Sequence, residues 1–554
     1  MGQQHLTQTE KRKNLSMRLY TLLLLFVCTN VLAQIDSDQL LQDRIKAHIE
    51  FLASDELRGR EPGTEGYDIA ANYVASQFRQ MGLVPAGAED SFFQQVPMRR
   101  SWPVEGSISM QFQNGDSVVD FEYVNEFYRG SSLAHEDSEI KADMIFVGYG
   151  IDAPELEYTD FEGIDLEGKI AVALAGQPLG FPSEEGAHFG SGAEKLKALA
   201  ARGAIGSVTV YTPRTEKRFP WERIKNSVGK PGMGWLTASG DPFRSYPEIK
   251  GGAFIHYTPA VALFEDANHS LEALIEMDRT GQSLPVFPMK GTLSLSQKSR
   301  HETIYSPNVV ALLPGTDPLL SNEYVVYTAH LDHVGELIGE GHKDAINNGA
   351  LDNASGVAVM LETARLFKKM GGQRRSILFV AVTAEEKGLV GSEYFAQNPT
   401  VAEGSMVANI NLDMPILLHE FADVIAFGAE HSSLGDTVRK AAETYGIKLS
   451  PDPMPEQNIF VRSDHYRFVQ KGIPSIYLVT GVESLDGNQE EQDFAESFIK
   501  NHYHQVSDDL DLPINYNAAA RFTQINARVG EIVANQSERP SWNEGDFFGT
   551  TFSR

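Results

Sequence analysis

Six side chains that could bind metal ions or transfer protons follow short apolar runs in the C-terminal half of the chain. The runs 324–329, 377–382 and 407–412 end in a histidine, a pair of glutamates and an aspartate. A second aspartate follows the loop after the first run, and a second histidine lies beyond the run 475–479. In chain order these side chains belong to His330, Asp352, Glu385, Glu386, Asp413 and His504.

Each of these residues has an ordinary structural explanation when it is taken alone. A single histidine is often a core residue, a pair of glutamates is often solvated, and an aspartate after a strand can cap a helix. Their shared position at the ends of apolar runs in one region favours a common site instead.

The residue types at these positions favour zinc. Zinc binds imidazole nitrogen and carboxylate oxygen where thiolate is absent, and the one cysteine, Cys28, lies in the N-terminal apolar segment. Two zinc ions about 3.5–4 Å apart need a carboxylate between them, and such a pair stabilises both the attacking and the developing oxygen. Two histidines and three acids leave two such ions with net positive charge, which favours hydroxide and an oxyanion. We therefore predict two zinc ions per chain and one glutamate that is not a ligand.

The elements that must position these side chains alternate between strands and helices from about 300 to 540. Strands are predicted at 308–313 and at the four runs given above, and a helix is predicted at 356–370. Such alternation is typical of a largely parallel sheet covered by helices, in which catalytic groups lie at the carboxyl ends of the strands.

Two further regions lie between the N-terminal segment and this one. The first, 38–97, has apolar residues at helical spacing, then a glycine-containing loop and a helix predicted at 67–81. The second, 98–295, has short apolar runs that predict strands, with a helix at 193–202. It holds no set of histidines and acids spaced for catalysis, so we expect the chemistry at 300–540.

Net charge and the N-terminus limit the partners and the location. A net charge of −28 argues against nucleic acids and anionic membranes, which attract clustered Lys and Arg. Residues 1–33 are predicted to be a signal peptide, with basic residues before the apolar stretch 19–27 and cleavage after Ala33. We expect an exported protein, periplasmic or secreted, without stable membrane association after signal cleavage.

With these motifs in this order, segments 40–95 and 300–510 resemble the twenty-eighth family of metallopeptidases, the dizinc aminopeptidases. The resemblance implies a pair of zinc sites that share one ligand. One site is formed by His330 and Asp413, the other by Glu386 and His504, and Asp352 bridges the two.

The resemblance also assigns four roles outside metal binding. Glu385 is the general base that takes a proton from the metal-bound water, and Asp332 fixes the tautomer of the His330 ring. Tyr503 stabilises the oxyanion, and Arg462 contacts the substrate.

The middle region resembles a protease-associated domain through three short motifs, at 147–150, 168–172 and 203–205. The implied fold is α/β, with a mostly parallel or mixed sheet sandwiched by helices, as in dizinc exopeptidases. The mainly-β protease-associated domain is inserted at 98–295.

The predicted function is that of a zinc-dependent exopeptidase that hydrolyses N-terminal residues of peptides. Three alternatives stay open: a carboxypeptidase acting on acidic C-termini, which needs a cluster of arginines, a single-zinc glutaminyl cyclase, and a non-catalytic binding homologue. His333 and His342 are expected at the surface or beside a ligand. Peptides are the expected partners, and the sequence makes no prediction of the oligomeric state.

Overall fold

The computed structural model describes residues 38–225, 228–337 and 343–553. The predicted signal peptide, with Cys28, and also His342 lie outside these residues. Within them, no helix combines the length and the apolar character that crossing a membrane requires.

The helices of the described residues are spread over the whole chain. They are α1 at 38–52, α2 Glu65–Gln80, α3 Ser183–Phe189, α4 Gly192–Ala200, α5 Pro213–Arg218, α6 Trp221–Lys225, α7 Tyr257–Ala260, α8 Leu271–Thr280, α9 Ser355–Met370, α10 Val390–Gln397, α11 Leu434–Glu443, α12 His465–Val469, α13 Gln489–Asn501, α14 Tyr516–Asn535 and α15 Phe547–Phe552.

The strands fall mainly into two large sheets. They are β1 Val84–Pro85, β2 Phe93–Pro103, β3 Ser109–Asn114, β4 Ser117–Asp120, β5 Phe127–Tyr128, β6 Asp137–Val147, β7 Asp152–Ala153, β8 Tyr158–Thr159, β9 Ile170–Leu174, β10 Gly206–Tyr211, β11 Gly232–Trp235, β12 Gly251–His256, β13 Val286–Leu313, β14 Tyr324–His330, β15 Ser376–Val382, β16 Met406–Asn411, β17 Asp423–Phe427, β18 Lys448–Ser450 and β19 Ser475–Thr480.

One sheet contains the strands that end in potential ligands. Its order is β11–β2–β13–β15–β14–β16–β19–β17–β18, and β1 also pairs with β13. The inner pairs β15–β14, β14–β16 and β16–β19 are parallel, whereas β13–β15 and β19–β17 are antiparallel. The predicted parallel core is therefore confirmed, and the carboxyl ends of β14, β15 and β16 lie along one edge.

Helices cover both faces of this sheet, as the sequence predicts. On one face Tyr327 of β14 stacks on Phe379 of β15 at 5.5 Å between ring centroids, and Phe367 of α9 packs against both. On the opposite face Val326 and Leu378 belong to a second core cluster, which also contains Phe395 of α10 and Phe468 of α12. Each such buried side chain contributes roughly 1.5–3 kcal/mol to folding, so the sheet is a rigid support for its carboxyl edge.

The second large sheet is joined to the first by one long strand. The N-terminal part of β13 pairs with β3 and β6, and its C-terminal part pairs with β2 and β15. The second sheet has the order β4–β3–β13–β6–β9–β10–β12–β5 and its own apolar core. Strands β2 and β13 run through the predicted boundaries near 97 and 295–300, so the two units share strands at these positions.

Candidate metal centre

The carboxyl edge of the first sheet brings the six predicted side chains together. His330 is the last residue of β14, Glu385 and Glu386 follow β15, and Asp413 follows β16. The backbone turns sharply at this edge: Ala384, Met414 and His504 have φ values of 55°, 41° and 57°. Left-handed conformations at non-glycine residues are costly and often occur at functional sites.

One group of potential ligands surrounds the His330 ring. Its Nε2 lies 3.3 Å from Oδ1 of Asp352 and 3.1 Å from Oδ1 of Asp413. Ser463 donates a hydrogen bond to Oδ2 of Asp413 at 2.6 Å, which fixes the orientation of that carboxylate. His330, Asp352 and Asp413 are all buried, and their ligand atoms are close enough to share one cation.

A second group shares Asp352 with the first. Nε2 of His504 lies 3.2 Å from Oδ2 of Asp352 and 2.9 Å from Oε2 of Glu386. The other oxygen of Glu386 lies 2.9 Å from Nδ1 of His333. Asp352 thus has one oxygen facing each group, which is the arrangement expected of a bridging carboxylate.

The loop before α9 holds Asp352 between the two groups. The carboxylate of Asp508 accepts hydrogen bonds from the main-chain N–H of Leu351, at 2.9 Å, and of Asp352, at 3.0 Å. The side chain of Asn353 donates to the carbonyl of Leu412 at the end of β16. These contacts join the loop to β16 and to the segment that contains His504.

Zinc fits this set of side chains. Oδ2 of Asp352, Nε2 of His504 and Nε2 of His333 are buried, yet within the described residues none of them forms a well-directed hydrogen bond. Imidazole nitrogens and carboxylate oxygens without thiolates are ligands that zinc accepts. The unsatisfied atoms Oδ2 of Asp352 and Nε2 of His504 face each other in the second group, where a cation would satisfy both.

The carboxylates also change the acidity of both histidines. Burial lowers the pKa of His330, but Asp413 and Asp352 raise it well above its usual range. Burial also lowers the pKa of His504, but Glu386 and Asp352 raise it to about 10. The site therefore attracts positive charge, and a divalent cation competes with protons for the same nitrogen atoms.

Glu385 lies beside the two groups with its carboxylate free. Burial raises its pKa well above the usual range, and Glu386 and Asp413 raise it further against the effect of His330. Within the described residues its carboxylate forms no ion pair or hydrogen bond. A free carboxyl group with a raised pKa can accept and return a proton near neutral pH.

Asp332 contacts both strand ends, though not in the way that the resemblance implies. Its main-chain oxygen lies 3.1 Å from Nδ1 of His330, whereas its carboxylate is 4.0 Å from that atom. The carboxylate instead accepts from the main-chain N–H of Glu385, at 3.1 Å, and of Glu386, at 3.3 Å. The backbone fixes the histidine ring, and the side chain fixes the turn that carries both glutamates.

Tyr503 lies at the edge of the second group. Its ring stacks on the His504 ring with 3.9 Å between centroids. Burial raises the pKa of the Tyr503 hydroxyl well above its usual range, and Asp352 and Glu386 raise it further. The hydroxyl therefore stays protonated and can donate a hydrogen bond.

Arg60 is a functional residue that the sequence reasoning missed. Its side chain is 1% exposed and donates to the carbonyls of Leu331, Asn348 and Gly349 at 2.9, 2.5 and 3.1 Å, and also to that of Leu52. Burial lowers its pKa to about 10, although Asp352 and Asp508 raise it. It remains a cation beneath the acidic site and joins the end of β14 to the loop of Asp352. No sequence spacing reveals it, because its partners are main-chain atoms of distant segments.

His333 is a second residue with a position that the sequence did not predict. It is fully buried, which excludes the expected surface alternative, and with Asp352 and Glu386 it forms a group whose ligand atoms could hold one metal ion. The signal that could have found it is its place three residues after His330 in the same strand-end loop.

Arg462 lies next to the site rather than within it. It directly precedes Ser463, which donates a hydrogen bond to Asp413. Burial and the nearby carboxylates raise the pKa of Tyr503, and the charge of Arg462 lowers it by a smaller amount. Arg462 is exposed and contacts the second unit of the chain through the ring of Phe219, 5.7 Å away.

Comparisons with known proteins agree with this geometry. Residues 308–530 match peptidase family M28. Aminopeptidase NAALADL1 of Mus musculus is 29% identical over 48% of this chain and 38% of its own length. An aminopeptidase of Pseudomonas aeruginosa is 25% identical over 83% of this chain and 75% of its own. The chain spans about two fifths of the length of the first curated relatives that it matches.

Among solved structures, an aminopeptidase from Aneurinibacillus sp. strain AM-1 has the same fold. It is 20% identical, the match covers 90% of this chain and 95% of that one, and the TM-score is 0.52.

Proposed function

Residues 308–530 match peptidase family M28, and on that premise we propose that the chain is a zinc-dependent exopeptidase that removes N-terminal residues from peptides. The observation that carries the proposal is the position of Asp352, with one carboxylate oxygen facing each of two ligand groups. The family match and the aminopeptidases among its relatives support the same class of enzyme.

The proposal includes two zinc ions per chain. His330 and Asp413 would hold one ion, Glu386 and His504 the other, and Asp352 would contact both. When bound, such a pair polarises the substrate carbonyl and lowers the pKa of a water molecule.

The remaining steps fall to side chains of the protein. Glu385 accepts the proton of the attacking water and returns it to the leaving amine, because its carboxylate is free and its pKa is raised. The Tyr503 hydroxyl donates a hydrogen bond to the oxyanion of the tetrahedral intermediate. Asp332 is a positioning residue: its backbone orients His330 and its carboxylate orients the turn of Glu385.

The acidic groups beside the metal centre support binding of the N-terminal amine of a peptide. Asp413 and the buried Asp464 lie close enough to Glu385 to raise its pKa. A carboxyl group in this position would accept hydrogen bonds from the amine of a bound peptide. This arrangement, together with the aminopeptidases among the relatives, is the ground for proposing an aminopeptidase.

The second unit and the location of the enzyme belong to the same proposal. The sheet of β3–β6, β9, β10 and β12 would be the inserted protease-associated domain and would bound the substrate cleft. An N-terminal signal would export the enzyme to the periplasm or the medium, where peptides are its substrates.

Hydrolysis of a panel of aminoacyl p-nitroanilides tests the proposed function. We expect release of nitroaniline that a chelator abolishes and added zinc restores, and no cleavage of the N-acetylated analogues. Absence of hydrolysis by the zinc-loaded protein across the panel would overturn the proposal.

A further inference from the structure

Two arginines from different units of the chain meet beside the metal centre. Arg218 ends α5 of the second unit and donates to the carbonyl of Gln457 at 2.7 Å. Arg462 of the first unit donates to the same carbonyl at 3.3 Å. The two guanidinium groups are thus held close together by one acceptor.

The ring of Phe219 lies near both arginines. It is 5.1 Å from Cζ of Arg218 and 5.7 Å from Cζ of Arg462. All three side chains are exposed. Guanidinium groups beside an aromatic face keep free N–H donors that can bind an anion.

Neither arginine is neutralised in the part of the chain that the structure describes. No ion pair is formed by Arg218 or Arg462 there, although Glu456 is near enough to affect Arg218. Burial lowers the pKa of Arg218, and the charge of Arg462 lowers it further. Two like charges in contact are unfavourable by themselves, so this position favours an anion.

Arg462 lies near enough to the metal centre for its charge to act on Tyr503. Arg462 adjoins Ser463, whose hydroxyl is 2.6 Å from Oδ2 of Asp413. Lys230 of the second unit lies near the same edge. The charges of Lys387, Glu61 and Glu386 are close enough to change its pKa.

We propose that Arg218 and Arg462 bind the C-terminal carboxylate of short peptides, so that the enzyme acts on dipeptides and tripeptides in preference to longer chains. Arginine pairs with carboxylates through two parallel hydrogen bonds. Within one substrate, the amine would face the carboxylates of the metal centre and the terminal carboxylate would face the two arginines. This inference rests on the proposed aminopeptidase function and names its substrate class.

The experiment compares kcat/KM for Leu-Gly-Gly with that for its C-terminal amide, in the same preparation of zinc-loaded enzyme. We expect the free acid to be preferred about tenfold or more, mainly through KM, because hydrogen bonds between charged groups are strong. The acid-to-amide ratio should fall towards one in R218Q and R462Q, and further in the double variant. R279Q, an exposed arginine of the second unit that pairs with Glu276 in its own helix, should keep the wild-type ratio.

The ratio is measured within each preparation, so partial loss of fold cancels. A wild-type ratio near one, or an unchanged ratio in the double variant, would overturn the inference. Leu-Glu-Gly amide has an acidic side chain but no free C-terminal carboxylate. If it is cleaved as well as Leu-Gly-Gly, the arginines bind an acidic side chain instead, and the inference is overturned.

Leucine p-nitroanilide separates this inference from the function on which it rests. If the enzyme hydrolyses it but shows no preference for the acid, only the carboxylate site fails. If it hydrolyses neither, or cleaves N-acetyl-Leu-Gly-Gly from its C-terminus, the aminopeptidase function fails and this inference fails with it.

Discussion

At the scale of single residues, the site combines several carboxylates with a few cationic side chains. In the proposed mechanism, Asp352 and Glu386 stay ionised to bind metal, whereas Glu385 accepts and releases a proton. Their environments differ accordingly: histidines face the first two, and Glu385 has no ion-pair or hydrogen-bond partner for its carboxylate among the residues that the structure describes. When two acids lie in different environments their pKa values differ, and one site can then supply different proton-transfer roles.

The variant E385Q tests the role of the free glutamate. The amide keeps the shape of the side chain but cannot accept a proton, so we expect kcat to fall by about 10²–10⁴-fold while zinc content stays at the wild-type level. Steady-state kinetics with zinc analysis of the same sample measures both. D352N is the contrast, because it should lose zinc, and full activity of E385Q would contradict the assignment.

The variant R60Q tests the buried cation beneath the site. We expect zinc affinity to fall by roughly 10–100-fold, which is typical when a residue that orients a metal ligand is replaced. The reason is that the loop of Asp352 would lose the hydrogen bonds that join it to the end of β14. Competition with a chromophoric chelator measures this affinity.

R375Q is the matched control for Arg60. Arg375 is equally buried and also donates to main-chain carbonyls, those of Val533 and Gln536, far from the site. Both variants should lose stability, but only R60Q should lose zinc affinity. Equal zinc affinity in the two variants would rule out a specific role for Arg60.

The sequence predicted the candidate metal ligands better than the residues that hold them in position. His330, Glu386 and Asp413 could be predicted because each lies at or within a few residues of the carboxyl end of an apolar strand, and parallel strands place these ends together. Arg60 could not be predicted, because its partners are carbonyls whose approach depends on the finished fold.

At the scale of elements, the junction between β16 and α9 sets the geometry of the centre. Oδ1 of Asn353 accepts from the N–H of Gly356 and of Met414, both at 3.0 Å. The helix therefore begins against the strand end that carries Asp413. The absence of a side chain at Gly356 permits this approach: a Cβ there would lie 2.1 Å from Oδ1 of Asn353 and 2.6 Å from the carbonyl of Leu412.

The variant G356A should disturb this junction. Overpacking of this kind costs about 1–3 kcal/mol, and the displaced Asn353 should move Asp352, so we expect lower stability and weaker zinc binding together. Urea unfolding and chelator competition measure the two effects.

G192A is the control, because it lies in the first turn of α4 with open space around the added carbon. It should be neutral or slightly stabilising. A wild-type zinc affinity in G356A would contradict the importance of the junction.

The sequence predicted the helices and strands with a strong periodic pattern, but it missed short strands at the edge of the first sheet. The helix predicted at 356–370 forms at Ser355–Met370, and the strand predicted at 377–382 forms at Ser376–Val382. Strands β17 and β18 were missed, because they are short and are defined by pairing with β19 and with each other rather than by their own pattern.

At the scale of the whole molecule, the second unit is fixed to the first by more than the shared strands. His431, which follows β17, contacts Glu184 of α3 at 2.5 Å and Asp546 near the C-terminus at 2.6 Å. Burial lowers the pKa of His431, but Asp546 and Glu184 raise it to about 10. A protonated imidazole thus joins two carboxylates across the interface between the units.

This contact predicts a pH-dependent stability. The folded-state pKa of His431 lies above the unfolded value of about 6.5, so its contribution is complete below that value and is lost as pH rises towards 10. We expect H431Q to be less stable than the wild type at about pH 6, and the difference to shrink at about pH 10. Urea unfolding at both values measures it, and an equal difference at both would contradict the account.

The division into units could be predicted only approximately. Composition distinguishes the region near 98–295 from the alternating region that follows, but β2 and β13 cross both boundaries without a change in pattern. The contact at His431 joins residues far apart in the chain, and no local signal marks it.

Anomalous diffraction at the zinc absorption edge, from crystals of the zinc-loaded protein, tests the central claim most directly. Two peaks per chain are expected, one contacted by His330 and Asp413, the other by Glu386 and His504, with Asp352 touching both. A single peak, or peaks away from Asp352, would contradict the two-zinc centre on which the proposed peptidase depends.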